Sequence, residues 1–232
     1  MNNYFLSFAK EVLPPFILKI LLSLKKKIKK AKFISSPQNQ KLNLYYDEQM
    51  AQILDNWGSR NAWIEVQHIF EDKKGKILDI ACGTGKVIEI LSKNKHLDIY
   101  GCDISSFLID KAKKKNIDNN KLTVCDATLL PYEANFFDYC YSIGSLEHFT
   151  ETGIISFLKS SAKVTKGNGY HMIPVSRSGK NQGWIENYQS YFNNSTNWWK
   201  LVCDQASLDC HFVDSSWEDE ISVGKWLVVK RK

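Results

Sequence analysis

The sequence predicts an α/β fold built on a mostly parallel sheet, and three patterns carry that expectation. From Gly75 onward, short apolar runs of strand length alternate with amphipathic runs of helix length. A glycine-rich turn follows the first of these strands and opens a helix. The last two strand candidates are joined by a connection too short for a helical crossover, so they should pair antiparallel. At 232 residues the chain has room for one such domain plus an appendage.

The strand candidates are 76–81, 97–102, 121–125, 136–142, 169–175, 210–214 and 225–230. Helix candidates at 86–94, 105–116 and 151–164 lie among the first five, which is the order of parallel βαβ units. A further helix near 197–207 precedes the terminal strand pair, whose connection is the polar stretch Ser215 to Gly224. Upstream, residues 44–70, with Tyr45, Tyr46, Trp57 and Trp63, read as one or two helices preceding the main domain. Pro14 and Pro15 open a helical pattern in which Ile17, Ile20, Leu21, Leu24 and Ile28 form an apolar stripe. The expected organisation is a basic amphipathic arm over 1–34, linker and lid helices over 35–74, and the main domain over 75–232.

The formal charge of +6 is unevenly placed. Residues 1–34 hold eight lysines against Glu11, a balance of +7, and the remaining 198 residues hold 23 basic and 24 acidic side chains, a balance of −1. A near-neutral body argues against a nucleic-acid groove across the domain, so no nucleic-acid partner is expected. The six cysteines show no CxxC pair and no metal-ligand spacing, and the five histidines are scattered. Free thiols in a reducing cytoplasm and no metal site are the expectation. The longest apolar run, Phe16 to Leu24, already contains Lys19 and falls short of the ~20 residues a membrane span needs. The lysines follow that run instead of preceding it, unlike a signal peptide.

The chemistry concentrates at strand ends. In ILDIACGTGK (77–86) a buried strand runs into Gly83 and Gly85, whose backbone can approach a ligand at a helix N-terminus. A dinucleotide site expects GxGxxG, and here Lys86, Val87 and Ile88 follow, so the third glycine is missing. Asp103 ends the second strand, where a carboxylate can accept both hydroxyls of a ribose. Asp126 and Ala127 close the third strand, beside a possible adenine amino group. The fourth strand, over Asn135 to Ser142, emerges at the same carboxyl edge. Each carboxylate alone could be a cap or a solvated loop residue. Their ordered recurrence at strand ends is what points to a ligand site.

The runs ILDIACGTG, YGCDIS, CDATLLPY, NFFDYCYSIGSLEH and VTKGNGYHMI together resemble the successive motifs of class I S-adenosylmethionine-dependent methyltransferases, close to the broad type 11 group. The resemblance covers roughly residues 45–175. It implies a Rossmann-like, seven-stranded, mostly parallel sheet with helices on both faces and one antiparallel edge strand. It also implies S-adenosylmethionine as cofactor, in a pocket of Asp79, Ala81, Cys82, Gly83, Gly85, Asp103, Ile104, Asp126, Ala127 and Ser142. Asp79 would organise the methionine end, Asp103 the ribose, Ile104 the adenine face, and Asp126 with Ala127 the adenine edge. Ala81 departs from the pattern, since many relatives carry glycine there.

The implied reaction is in-line methyl transfer, for which the protein supplies alignment, a dry site and, for a hydroxyl acceptor, a base. His148 is the candidate base, directly after the fourth strand, since histidine is the side chain type suited to proton transfer near neutral pH; the alternatives are that it caps the next helix or packs under the substrate loop. Glu147 and His171 read as less suited to catalysis. The connection from Ser176 to Asn197 reads as a lid, in which Trp184, Tyr188, Tyr191 and Phe192 either form an acceptor wall or anchor the lid to the core. The opening also resembles methyltransferases found with bacterial surface-polysaccharide enzymes. The expected acceptor is therefore a small molecule, a sugar or a sugar-linked phosphoryl or phosphoramidate group of a capsule or lipopolysaccharide precursor. A quinone, a lipid or another metabolite, or a non-catalytic cofactor-binding module, are the alternatives. Residues 12–32 are expected either to touch anionic membrane from the cytoplasmic side or to pack on protein.

Overall fold

A computed structural model describes residues 33–34, 46–186 and 190–232. The arm helix expected over 12–32, and Tyr45 and Tyr188, lie outside the described residues. The main sheet has seven strands: β2 (Gly75–Ile80), β3 (Leu97–Asp103), β4 (Leu122–Val124), β5 (Tyr139–Ile143), β6 (Gly169–Ser176), β9 (Leu208–Glu218) and β10 (Ser222–Arg231). Their spatial order is β4-β3-β2-β5-β6-β10-β9. The pairs from β4 to β6 are parallel. Antiparallel pairing is confined to one edge, where β10 runs against both β6 and β9. The seven-stranded, mostly parallel sheet expected from the sequence is present.

Among the described residues six α-helices surround the sheet: α1 (Glu48–Leu54), α2 (Ala62–Phe70), α3 (Lys86–Leu91), α4 (Ser106–Lys113), α5 (Glu151–Val164) and α6 (Thr196–Gln205). Helix α5 shows why such segments form. Thr150 Oγ1 accepts from Gly153 N as an N-cap, and Ile154, Phe157, Leu158, Ser161 and Val164 recur at helical spacing and are buried. One core holds Phe157 of α5 and Trp199 of α6 against one face of the sheet; the other holds Val66 and Phe70 of α2, Ile88 of α3 and Ile109 of α4 against the opposite face. Strand β2 runs between them, so Ile77, Leu78, Asp79 and Ile80 are all buried. Full burial of each such aliphatic side chain contributes roughly 1.5–3 kcal/mol.

Several boundaries differ from the sequence expectation, each for a tertiary reason. Strand β5 begins at Tyr139, not at 136, because Phe137 instead bridges to Thr165 beside the end of α5. Strand β9 runs on to Glu218, since pairing with β10 continues past a bulge to a tight turn capped by Asp219, whose Oδ1 accepts from Ile221 N and Ser222 N. The connection after β6 contains a small hairpin, β7 (Trp184–Ile185) with β8 (Tyr191–Phe192). Residues Phe33–Ile34, β1, add a third strand to it, so the end of the expected arm pairs with the expected lid.

The chain leaves β2 toward β3 and β4 on one side, then returns to β5 on the other. This reversal places a crevice at the carboxyl ends of β2 and β5, the topological switch point where open α/β sheets bind ligands.

Candidate functional site

At the switch point β2 gives way to a turn of unusual backbone. Ala81, Gly83 and Gly85 have φ of 60°, 54° and 72°, all left-handed. Gly85 is required twice: its φ suits glycine, and an added Cβ would stand 2.7 Å from Ile117 Cδ1 and 3.0 Å from Ala112 Cβ. Ala81 adopts the same region with a methyl group, at a cost of about 1–2 kcal/mol. The departure noted in the sequence is therefore a strained position.

Two carboxylates are buried beside this turn. Asp103, 4% exposed, accepts from Gly83 N (2.9 Å) on Oδ2 and from Ser105 N (2.8 Å) on Oδ1. Asp79, 3% exposed, accepts from Tyr141 Oη at 2.8 Å. Burial pushes the carboxyl of Asp103 up despite those backbone N–H groups. Burial pushes Asp79 up further, with the nearby Asp103 charge adding to it and the Tyr141 bond opposing it. Neither forms an ion pair with another described residue. Two neighbouring buried carboxylates without a cation are costly, and a ligand cation would relieve both.

A roof over the turn comes from the segment before β2, which sequence reasoning did not assign to the site. Leu54 Cδ1 stands 3.3 Å from where a Cβ on Gly83 would be. Asp55 accepts hydrogen bonds from Thr84 Oγ1 and from Lys115 Nζ (2.7 Å). Burial works against the Asp55 charge, but the Lys115 and Thr84 bonds outweigh it and hold the carboxyl below its ordinary range. Burial, with the Asp103 charge adding to it, pushes the Tyr46 phenol up. Trp57 covers Gly144, at 3.4 Å from a Cβ placed there. Nothing in the motif pattern marks these residues, because their position is set by long-range packing.

The remaining candidates divide. Cys82, 9% exposed, lies in the turn, and Ile104 is half-buried beside Asp103. Asp126 is exposed and caps the short turn Ala127–Leu129, its Oδ1 accepting from Thr128 N and Oγ1 (both 2.8 Å). Ala127 is buried in the core. Strand alternation turns the Ser142 side chain away from Asp79 and Tyr141, and its hydroxyl pairs with His171 Nδ1 at 2.9 Å. Its side chain does not join the cluster. His171 is fully buried against Phe157, which lowers its pKa to about 3, so it stays neutral as a core residue.

Beyond β5, Gly144 (φ 64°) turns the chain into the single helical turn Leu146–His148. His148 Nδ1 lies 2.8 Å from the carbonyl oxygen of Ser190. A carbonyl can only accept, so Nδ1 carries the proton and the neutral ring offers its lone pair at Nε2. Glu147 is buried, its Oε1 3.9 Å from that Nε2. Burial pushes its carboxyl up, against the opposing pull of His148. In the lid, Trp184 (4% exposed) and Phe192 (2%) pack into the core as anchors. Tyr191 is half-buried, its ring 6.5 Å from that of His148. The described residues contain no group of three or more potential ligands that could hold a metal, and all six cysteines are free.

A glycine turn and carboxylates gathered at a switch point mark the class of open α/β domains that take a nucleoside-bearing ligand there. Comparison with known proteins narrows that class. Residues 77–169 match the family described as "Methyltransferase domain". The chain is 35% identical over 100 residues to the tRNA (carboxymethyluridine(34)-5-O)-methyltransferase of Arabidopsis thaliana, covering 43% of this chain and 23% of that protein. It is 32% identical over 109 residues to the demethylmenaquinone methyltransferase of Thermotoga maritima, covering 47% and 46%. The fold matches an S-adenosylmethionine-dependent methyltransferase from Clostridium acetobutylicum with a TM-score of 0.61 at 16% identity, over 79% of this chain and 98% of that one. The chain spans about a quarter of the length of the tRNA methyltransferases it matches. Residues 77–169 are thus similar to methyltransferase domains, and the fold around them is the one S-adenosylmethionine-dependent methyltransferases share.

Proposed function

We propose that this protein transfers a methyl group from S-adenosylmethionine to an oxygen of a small acceptor, with His148 as general base. The cofactor's fit rests on charge. It bears a sulfonium and an ammonium, and the site offers Asp79 and Asp103 buried side by side, neither in an ion pair with a described residue. In this reading Asp79 answers the methionine end and Asp103 accepts from the ribose hydroxyls. Gly83 and Gly85 let the backbone approach, while Ile104, Asp126 and Ala127 border the adenine. Ala81 and Cys82 contribute main chain to the turn. Leu54, Asp55 and Trp57 exclude water from above.

When bound, the cofactor supplies an activated methyl group on a good leaving group. The protein's part is to align the acceptor oxygen and take its proton. The observation that carries oxygen methylation is the Ser190 carbonyl at His148 Nδ1, which fixes the tautomer with an open Nε2. A sugar hydroxyl, as in a surface-polysaccharide precursor, is the acceptor we place first, and a quinone or other metabolite is the alternative. The identity to tRNA methyltransferases favours one further reading, an RNA carboxymethyl oxygen. A carboxylate needs no base, so the two readings diverge at His148.

The deciding experiment incubates the full chain with labelled S-adenosylmethionine and, separately, sugar nucleotides, quinones and bulk tRNA. Label entering a small hydroxylated product, and lost in His148→Ala, supports the proposal. Label entering tRNA with His148→Ala undiminished moves the assignment to RNA. No transfer to any acceptor despite tight cofactor binding leaves a binding module.

A further inference from the structure

Glu147 is a buried carboxyl to which the reading above gives no role. It is 5% exposed, and its Oε2 meets no hydrogen-bond partner among the described residues. A buried polar atom left unpaired costs about 1–3 kcal/mol, more when charged. Such an orphan calls for an explanation, and a partner from outside the chain is one. Its surroundings are those of the candidate acceptor site, not of the core. Oε1 lies 3.8 Å from a Cβ placed on Gly144, at the carboxyl end of β5, and Trp57 closes over the same point. The half-buried Tyr191 of β8 has its ring 6.5 Å from that of the adjoining His148.

The geometry toward His148 is equally informative. Oε1 and Nε2 stand 3.9 Å apart, too far for a hydrogen bond between them. The Ser190 carbonyl has already fixed the proton of the neutral ring at Nδ1, so Nε2 is an acceptor. Nε2 of the half-buried His148 and Oε1 of the buried Glu147 therefore stand side by side as acceptors, with the orphaned Oε2 on the same carboxyl. A ligand that satisfies both must bring two donors at neighbouring positions.

We propose that Glu147 is a second acceptor-binding residue, and that the methyl acceptor carries adjacent donors, as a vicinal diol or a hydroxyl beside an N–H. This rests on the methyltransferase reading with His148 as base. One hydroxyl donates to His148 Nε2. Its oxygen gains the methyl as the carbon–sulfur bond breaks, and its proton passes to Nε2. The neighbouring donor stays protonated and is held by Glu147, which fixes which of the two oxygens reacts. A lone hydroxyl would leave the carboxyl orphaned, and an anionic neighbour would be repelled by it.

The test uses the full chain with trideuteromethyl-labelled S-adenosylmethionine and a small-metabolite extract, and the labelled product is identified by mass spectrometry and NMR. The methylated oxygen should have a hydroxyl or N–H on the adjacent carbon. With the unmethylated parent compound as probe, Glu147→Leu should lower kcat/KM and calorimetric affinity about 10–100-fold, the loss of one charge-assisted hydrogen bond. Glu147→Gln, which keeps an acceptor oxygen, should lose less. For the analogue lacking the neighbouring donor, wild type and Glu147→Leu should perform alike. Unchanged cofactor affinity reports correct folding, and should Glu147→Leu fail to fold, the wild-type preference for the parent over that analogue still decides. A product without an adjacent donor, or equal turnover of parent and analogue by wild type, overturns the proposal while leaving the His148 reading standing. No labelled product, or one formed equally by His148→Ala, removes both.

Discussion

The two sides of the crevice are built by different means. On the cofactor side, Ala81, Gly83, Gly85 and Asp103 act through backbone conformation and through bonds between segments next to adjacent strands, all within residues 77–105. On the acceptor side, His148 is fixed by Ser190 and Gly144 is covered by Trp57, so groups spread over about 130 positions converge. In the proposed reading, one side binds a ligand shared by a whole class of enzymes and can be written into a short local motif. The other must suit a particular acceptor and is assembled by tertiary packing.

Substitutions should separate the two sides. The largest effect is expected on the acceptor side: His148→Ala should slow methyl transfer to a hydroxyl acceptor roughly 10²–10⁴-fold. Cofactor affinity, read by calorimetry, should stay within a few-fold, and a shared loss of both would erase the distinction. Next, Asp103→Ala should weaken cofactor binding by about 1.5–3 kcal/mol through loss of charge-assisted hydrogen bonds. Acceptor affinity measured separately should hold.

The buried carboxylates also set a pH dependence. A carboxyl whose native pKa is raised takes up a proton on folding, so its contribution to stability is present at low pH and is lost as pH rises. Asp79→Asn removes one such group. Without cofactor, this variant should gain in melting temperature over wild type as pH climbs from the ordinary carboxylate range to neutrality, while binding S-adenosylmethionine less well. A gap that narrows with rising pH would mean that Asp79 is not a strained carboxylate. The smallest effect is expected at the turn. Ala81→Gly relieves the left-handed strain but adds freedom to the unfolded chain, for a net gain of up to about 1 kcal/mol in denaturant unfolding. A loss of stability there would show that the methyl group packs favourably.

The same contrast explains what the sequence revealed. The strand and helix order, the antiparallel terminal pair and the placing of Asp79 and Asp103 beside the glycine turn were legible, because alternation, caps and strand-end acids are local signals. The direction of the Ser142 side chain was not legible, because its place among strand-end residues does not say which face it takes; alternation from Tyr141 turns it to His171. Asp55 and Trp57 were invisible as site residues, since only tertiary packing brings them to Thr84 and Gly144. The joining of Phe33–Ile34 to the lid hairpin is likewise a pairing between segments some 150 residues apart that no local pattern encodes.

The central claim is that two buried carboxylates at the switch point await a cationic, adenosine-bearing ligand. Calorimetric titration of the wild-type chain with S-adenosylmethionine, and in parallel with a nicotinamide dinucleotide, tests it most directly. Saturable one-to-one binding of S-adenosylmethionine, with none of the dinucleotide, is the expected result. No binding of S-adenosylmethionine, or a preference for the dinucleotide, would contradict it.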